Sequence, residues 1–281
     1  MLLVYTSDLH GNIAGYRQLL ELAAQRAAQA VIVGGDLLPH SIKLASAVSH
    51  QRDFVQTALR PLLATFRATH PHIAVYLLPG NDDWAAAITA IDALEAEGLA
   101  YPLHQRVFPL TTNLWLAGYA CVPITPFSIK DYERYDGEDV PQYSFAMAYT
   151  STGGQPVKTS LAALLHQPSI ADDLEQLAQH TDPTRTIYVC HTPPYNTELD
   201  RMRTKHVGSQ ALRAFINQHQ PLLTLHGHIH ESPTISGRYA ERLGTTWCVN
   251  PGHDRQQFHA VVCDSDDLAG SLWHTVYGAI E

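Results

Sequence analysis

Five short apolar runs in this chain each end at a carboxylate, an amide or an imidazole. Leu2–Tyr5 leads to Asp8 and His10, Val31–Val33 to Asp36, and Ile73–Leu78 to Asn81. Thr186–Cys190 leads to His191, and Pro221–Leu225 to His226, His228 and His230. Apolar runs of this length, bounded by turn residues, read as buried strands. Each polar residue then projects from the carboxyl edge of a strand, where open α/β sheets bind their ligands. Helical spacing fills the gaps over Ile13–Ala30, over Ser41–His70 with a break or kink at Pro61, and over Trp84–Gly98 with Gly98 as its stop. Three strand–loop–helix units in succession predict an α/β layered fold with an at least partly parallel sheet.

Further along, Val107–Tyr119 reads as two short strands and Pro123–Gly154 as a long excursion or cap, rich in Pro, Gly, Tyr and charge. Loops of that length inside compact domains are commonly functional. Helices are predicted over Ala171–His180 and Ser209–His219, and the tail (Thr245–Val249, Gln257–Cys263, Leu272–Tyr277) reads as antiparallel strands. No repeat or clear linker divides the chain, so one domain over 1–281 is expected.

Composition narrows the function classes. With 45% hydrophobic and only 16% charged residues, charge-driven disorder is excluded. The net charge of −9 argues against nonspecific nucleic-acid binding, which needs a basic surface. Cys121, Cys190, Cys248 and Cys263 are widely spaced and form no C-x-x-C pair, which suits reduced, buried thiols. Neither a signal peptide nor an apolar run of membrane-spanning length is legible, so a cytoplasmic protein without membrane contact is expected. Histidine is the outlier, at 17 residues against 18 Lys and Arg together.

Asp8, His10, Asp36, Asn81, His191, His228 and His230 are hard or borderline ligands with no thiolate among them. That donor set suits Mn²⁺, Fe, Zn²⁺, Ni²⁺ or Mg²⁺. Seven donors exceed the need of one ion and fit two ions with positions left for water, the arrangement that clamps a displacement at phosphorus. His228 and His230 alternate with Ile229 and so share one face of an extended segment.

The order Asp8-Leu-His10, Gly35-Asp36, Gly80-Asn81-Asp82-Asp83, His191 and Gly227-His228-Ile-His230 resembles the five blocks of the calcineurin-like metallophosphoesterase superfamily. Those blocks are D-x-H, G-D, G-N-H-[DE], a lone H and G-H-x-H. The resemblance implies a four-layer sandwich, two mixed β-sheets flanked by helices. It also implies that Asp8, His10 and His230 hold one ion, that Asn81, His191 and His228 hold a second, and that Asp36 bridges them. Mn²⁺ is the leading metal. The implied reaction is hydrolysis of a small phosphate ester, foremost a phosphodiester, by a hydroxide shared between the ions. The alternatives are a phosphomonoesterase, a nucleotide pyrophosphohydrolase or a low-turnover metal-binding regulatory protein.

One block departs from the pattern, because Asp82 stands where most members carry a histidine thought to protonate the leaving oxygen. A carboxylate beside two dications is a poor acid at neutral pH unless burial raises its pKa, so a good leaving group, a substitute acid such as His206 or His253, or weak catalysis is expected. The stretch His191–Ser209 resembles a prokaryotic subgroup in which this loop faces the substrate. Asn12 could donate to a phosphoryl oxygen or cap the following helix, and Ser209 could meet substrate or act as a cap. His226 is assigned to orienting a metal ligand. The remaining histidines, His40 among them, read as surface or packing residues, and the Tyr132–Tyr149 cluster as a packing patch.

Overall fold

The computed structural model describes residues 1–41, 43–137 and 147–280. Two large mixed sheets carry the chain. The first runs in the order Gly278–Ala279, Trp273–His274, Val261–Asp264, Leu2–Thr6, Ala30–Gly34, Ala74–Leu78, Tyr101–Pro102. Its last four strands are parallel to one another, and its first three are antiparallel additions. The second runs Ala240–Leu243, Thr246–Val249, Leu223–Leu225, Thr186–Cys190, Leu114–Tyr119, Arg106–Thr111, with four parallel strands inside and an antiparallel strand at each edge.

One apolar core joins the two sheets, through Leu3, Val31 and Val33 of the first and Leu116, Ile187 and Leu225 of the second. Strands covered on both faces need no polar alternation, which is why Ala30–Gly34 is buried at every position. The helices form the flanking layers. Ile13–Gln25 buries Tyr16, Leu19, Leu20 and Ala23 along one stripe. It stops at Gln25 rather than at the expected Ala30, because Ala27 turns to φ 52° and Ala30 already opens the next strand.

The predicted break at Pro61 is absent. Instead the helix widens to i→i+5 hydrogen bonding over Val55–Leu59, then continues as Arg60–Thr69. Proline has no N–H to donate and its ring crowds the preceding turn, and the wider turn accommodates both defects. The tail also differs from the expected antiparallel series. Thr246–Val249 lies parallel to Leu223–Leu225 in the second sheet and antiparallel only to Ala240–Leu243, a strand the sequence pattern did not reveal. Val261–Asp264 and Trp273–His274 are antiparallel, but in the first sheet.

Within the 123–154 excursion, residues 138–146 lie outside the described residues. The remainder is anchored at both ends. Asp131 accepts hydrogen bonds from the Ala85 and Ser151 amides, and Lys130 and Glu133 form a fully buried ion pair at 2.7 Å. Tyr132, Tyr135 and Tyr149 are buried in packing. All four cysteines are free and buried. No described helix is long and apolar enough to cross a membrane.

Candidate metal centre

The carboxyl ends of the parallel strands of both sheets meet at one place. Leu2–Thr6, Ala30–Gly34 and Ala74–Leu78 deliver Asp8, His10, Asp36 and Asn81 from one side, and Thr186–Cys190 and Leu223–Leu225 deliver His191, His228 and His230 from the other. Donor atoms of Asp8, His10, Asp36 and His230 all lie within 4.8 Å of one another. His230 Nε2 is 3.2 Å from Asp8 Oδ1 and 3.4 Å from His10 Nε2. His191 Nε2 lies 3.4 Å from Asp36 Oδ2 and 3.9 Å from Asp8 Oδ1. The His228 ring is centred 5.3 Å from that of His191, and its backbone N–H donates to the Asp8 carboxylate at 3.1 Å. Asn81 is held between Gly80 and Asp82, which both touch Asp36.

The backbone bears the mark of this crowding. Asp8, His10, Asp36 and His228 sit at φ 59°, 44°, 49° and 64°, a left-handed conformation that costs non-glycine residues energy. Two glycines make the convergence possible. A Cβ on Gly80 would lie 2.2 Å from Asp36 Oδ1 and 2.7 Å from His191 Nε2, and one on Gly227 would lie 2.5 Å from Asp8 Oδ2. No side chain fits at either position.

The donor set has the chemistry of a cation site. Asn81 Oδ1 and His191 Nε2 are buried polar atoms with no hydrogen-bond partner, a costly condition that a bound cation relieves. His191 Nδ1–H donates to the Gly34 carbonyl at 2.9 Å, which fixes the tautomer and turns Nε2 toward Asp36. Burial alone would lower the His191 and His230 imidazoles, but Asp36 and Asp8 outweigh it and raise both to about 9. Among the described residues the His228 ring forms no ion pair with a carboxylate, and burial, with His191 beside it, pushes it down to about 3. Burial, with Asp36 and Asp83 beside it, pushes the Asp82 carboxyl up to about 8 in the ion-free protein. Two dications at the cluster would reverse that shift, since they favour the carboxylate.

The other residues singled out in the sequence take definite positions. His253 is beside the cluster, its ring 5.5 Å from His230 and 6.2 Å from His10. His206 is held by the buried Asp200, Nδ1–H donating at 2.7 Å, with Arg201 and Tyr195 as its neighbours. Ser209 is fully buried as the N-cap of Gln210–His219, accepting from the Leu212 amide at 2.9 Å and donating to Asp136. Asn12 caps Ile13–Gln25 through the Gly15 amide and borders a cleft of about 100 Å³ shared with residues 253–259. His226 donates to the Cys190 carbonyl at 2.9 Å and accepts from the Thr224 hydroxyl at 2.8 Å, bracing the strand end that carries His191.

Two supports were not assigned to the site from the sequence. Asp83 accepts from the Leu37, Leu38 and Gly80 amides at 2.8–2.9 Å, tying the Asn81 loop to the Asp36 loop. Asn250 Nδ2 donates to the Leu199 and Ile229 carbonyls at 2.9 and 3.2 Å, steadying the segment that carries His228 and His230. The tandem aspartates after Asn81 were the available clue to the first, and the Asn250-Pro-Gly turn after a strand to the second.

Comparison with known proteins agrees with this architecture. A sequence model described as calcineurin-like phosphoesterase matches residues 1–232. The fold resembles that of TT1561 from Thermus thermophilus, at 19% identity and TM-score 0.60 with 98% of each chain covered. It also resembles a dimetal phosphatase from Danio rerio, at 12% identity and TM-score 0.50 with 93% of this chain and 92% of that one covered. No curated protein matches the sequence.

Proposed function

Because the chain belongs to the calcineurin-like phosphoesterase family, phosphoester hydrolases with a dinuclear divalent metal centre, we propose that it is a Mn²⁺-dependent phosphodiesterase acting on a small substrate. The observation that carries this reading is the convergence of Asp8, His10, Asp36 and His230 within 4.8 Å, with His191 Nε2 and Asn81 Oδ1 buried and unpartnered beside them. Asp8, His10 and His230 would hold one ion, Asn81, His191 and His228 the other, with Asp36 between. The bound pair supplies a water of lowered pKa and neutralises charge developing at phosphorus.

The protein's own contribution is placement and charge. Asp36 offers one oxygen toward His191 while the Asp82 amide holds the other at 2.9 Å, so the carboxylate cannot rotate away. Asp8, Asp36 and His191 are themselves buried, so bulk water screens their charges weakly. Asp82 adds a negative charge on the rim, with a quarter of its side chain exposed. That charge opposes a dianionic monoester more than a monoanionic diester, which favours the diester. The four free, buried cysteines suit a reducing compartment, and we assign the protein to the cytoplasm.

The test is steady-state kinetics of the Mn²⁺-loaded protein on a chromogenic aryl phosphodiester and on the matching monoester. A higher kcat/KM on the diester supports the assignment, and the reverse preference transfers it to monoesters. Two bound ions without turnover of either substrate would indicate a regulatory metal-binding protein instead.

A further inference from the structure

Asp82 has an unusual set of neighbours. Its Oδ1 accepts from Asn81 Nδ2 at 3.5 Å. Its Oδ2 lies 3.5 Å from Nε2 of His40 and 3.9 Å from Nδ1 of His10. That His10 nitrogen is buried and has no hydrogen-bond partner, while Nε2 of the same ring faces Asp36 and His230. His40 stacks on His10 with ring centroids 4.6 Å apart. The arrangement is braced from behind. Gln51, itself buried, donates to the Asp82 and Pro39 carbonyls at 3.0 and 3.3 Å and accepts from the Trp84 amide at 2.8 Å. The loops carrying His40 and Asp82 are thereby pinned to one helix.

From this geometry we infer that Asp82 is a positioning residue for both metal ions rather than the stand-in for a missing acid, and that His40 buttresses it. An ionised carboxylate is acceptor-only on both oxygens. Oδ1 takes the Asn81 amide N–H, which leaves Asn81 Oδ1 as the end of that side chain that would hold the second ion. Oδ2 stands 3.9 Å from His10 Nδ1, a gap that must close for it to accept Nδ1–H and so fix the tautomer that would present Nε2 to the first ion. Carboxylates in this relation to a metal-bound histidine raise its basicity and hold its ring, and their loss costs 10–100-fold in metal affinity. A histidine here could not serve both donors, because a neutral imidazole has one acceptor nitrogen. The departure from G-N-H is therefore a change of task.

The inference rests on the dinuclear reading, and its test separates the two. Mn²⁺ binding is measured by calorimetry on metal-free wild type, Asp82→Ala, Asp82→Asn, Asp82→His and His40→Ala, with apo melting temperatures recorded alongside. Wild type binding two ions is the premise, and failure there overturns the proposed function itself. Given two ions, Asp82→Ala and Asp82→His should each weaken binding by about 10–100-fold with the apo melting temperature little changed. Asp82→Asn keeps one acceptor oxygen and should fall in between, and His40→Ala should lose less than Asp82→Ala. Unchanged affinity in Asp82→Ala overturns the inference and leaves the dinuclear centre intact. So does a third ion bound by wild type and lost in both His40→Ala and Asp82→Ala, which would make His10, His40 and Asp82 a cation site of their own. Raised monoesterase turnover in Asp82→His with metal affinity unchanged overturns it too, by identifying position 82 as the acid's.

Discussion

The backbone N–H of Asp82 donates to Oδ1 of Asp36 at 2.9 Å, and this bond divides the Asp36 carboxylate into a fixed oxygen and a working one. The working oxygen, Oδ2, is 3.4 Å from His191 and 3.8 Å from His10, residues assigned to different ions. Asp36→Asn keeps the shape and the accepted bond but removes the charge shared by both cations. It should lower kcat by on the order of 10²–10³ or more and weaken both ions. His191→Ala should deplete mainly the second. Metal content after gel filtration, read beside kcat, checks both, and normal activity in either variant contradicts the ligand assignment.

Asp83 makes a prediction about stability. Its carboxylate satisfies three backbone amides at the junction of two ligand loops and is fully buried. Asp83→Ala strands those donors, and one buried unsatisfied group alone costs about 1–3 kcal/mol. The apo protein should therefore lose at least about 2 kcal/mol in urea unfolding. Asp83→Asn rescues only in part, since its NH₂ faces an amide donor. A loss below 0.5 kcal/mol, roughly that of an ordinary surface change, would show the tie to be dispensable.

The histidines set a pH dependence with a definite sign. His191 and His230, raised to about 9 against an ordinary 6.5, are protonated in the metal-free protein at neutral pH. Their raised values contribute stability that is complete below pH 6.5 and disappears as pH climbs through 9. Melting temperatures in chelator should fall over that window. Ligation needs neutral imidazoles, so Mn²⁺ must displace the protons of His191 and His230, with that of Asp82 released alongside, and bind more tightly as pH rises toward 9. Calorimetry near neutral pH in buffers of different ionisation enthalpy counts those protons. No buffer dependence would refute the assignment of charged imidazoles.

Gly80→Ala probes the closeness of the loops. The added methyl would lie 2.2 Å from Asp36 Oδ1, closer than any real contact, so the Asn81 loop must retreat from the Asp36 loop. We expect both Mn²⁺ ions to bind at least about tenfold more weakly, as for loss of a metal-orienting neighbour. Retained affinity, measured by the same titration, would mean that the loops separate without cost.

Much of this molecule was legible in its sequence because the ligands follow buried strands, and buried strands announce themselves as apolar runs. Asp8, Asp36, Asn81, His191, His228 and His230 all stand directly beyond such runs. Ala240–Leu243 was not legible, since its Glu241 and Arg242 carry charge on an edge strand. The π turn before Pro61 escaped notice because a proline in a helix permits either a break or a widening, and only packing decides. His40 looked like any surface histidine, for its significance depends on His10 and Asp82, brought to it from other loops. The capping of Gln210–His219 by Asp136 is equally nonlocal.

The position of Val261–Asp264, paired against Leu2–Thr6, has a consequence for biogenesis. The strand that leads to Asp8 waits for a neighbour encoded more than 250 residues later. Until that partner leaves the ribosome, an apolar ribbon at the heart of the nascent polypeptide has one flank open to association with other chains. Completion of the sheet that carries Asp8 is thus tied to the emergence of Val261–Asp264.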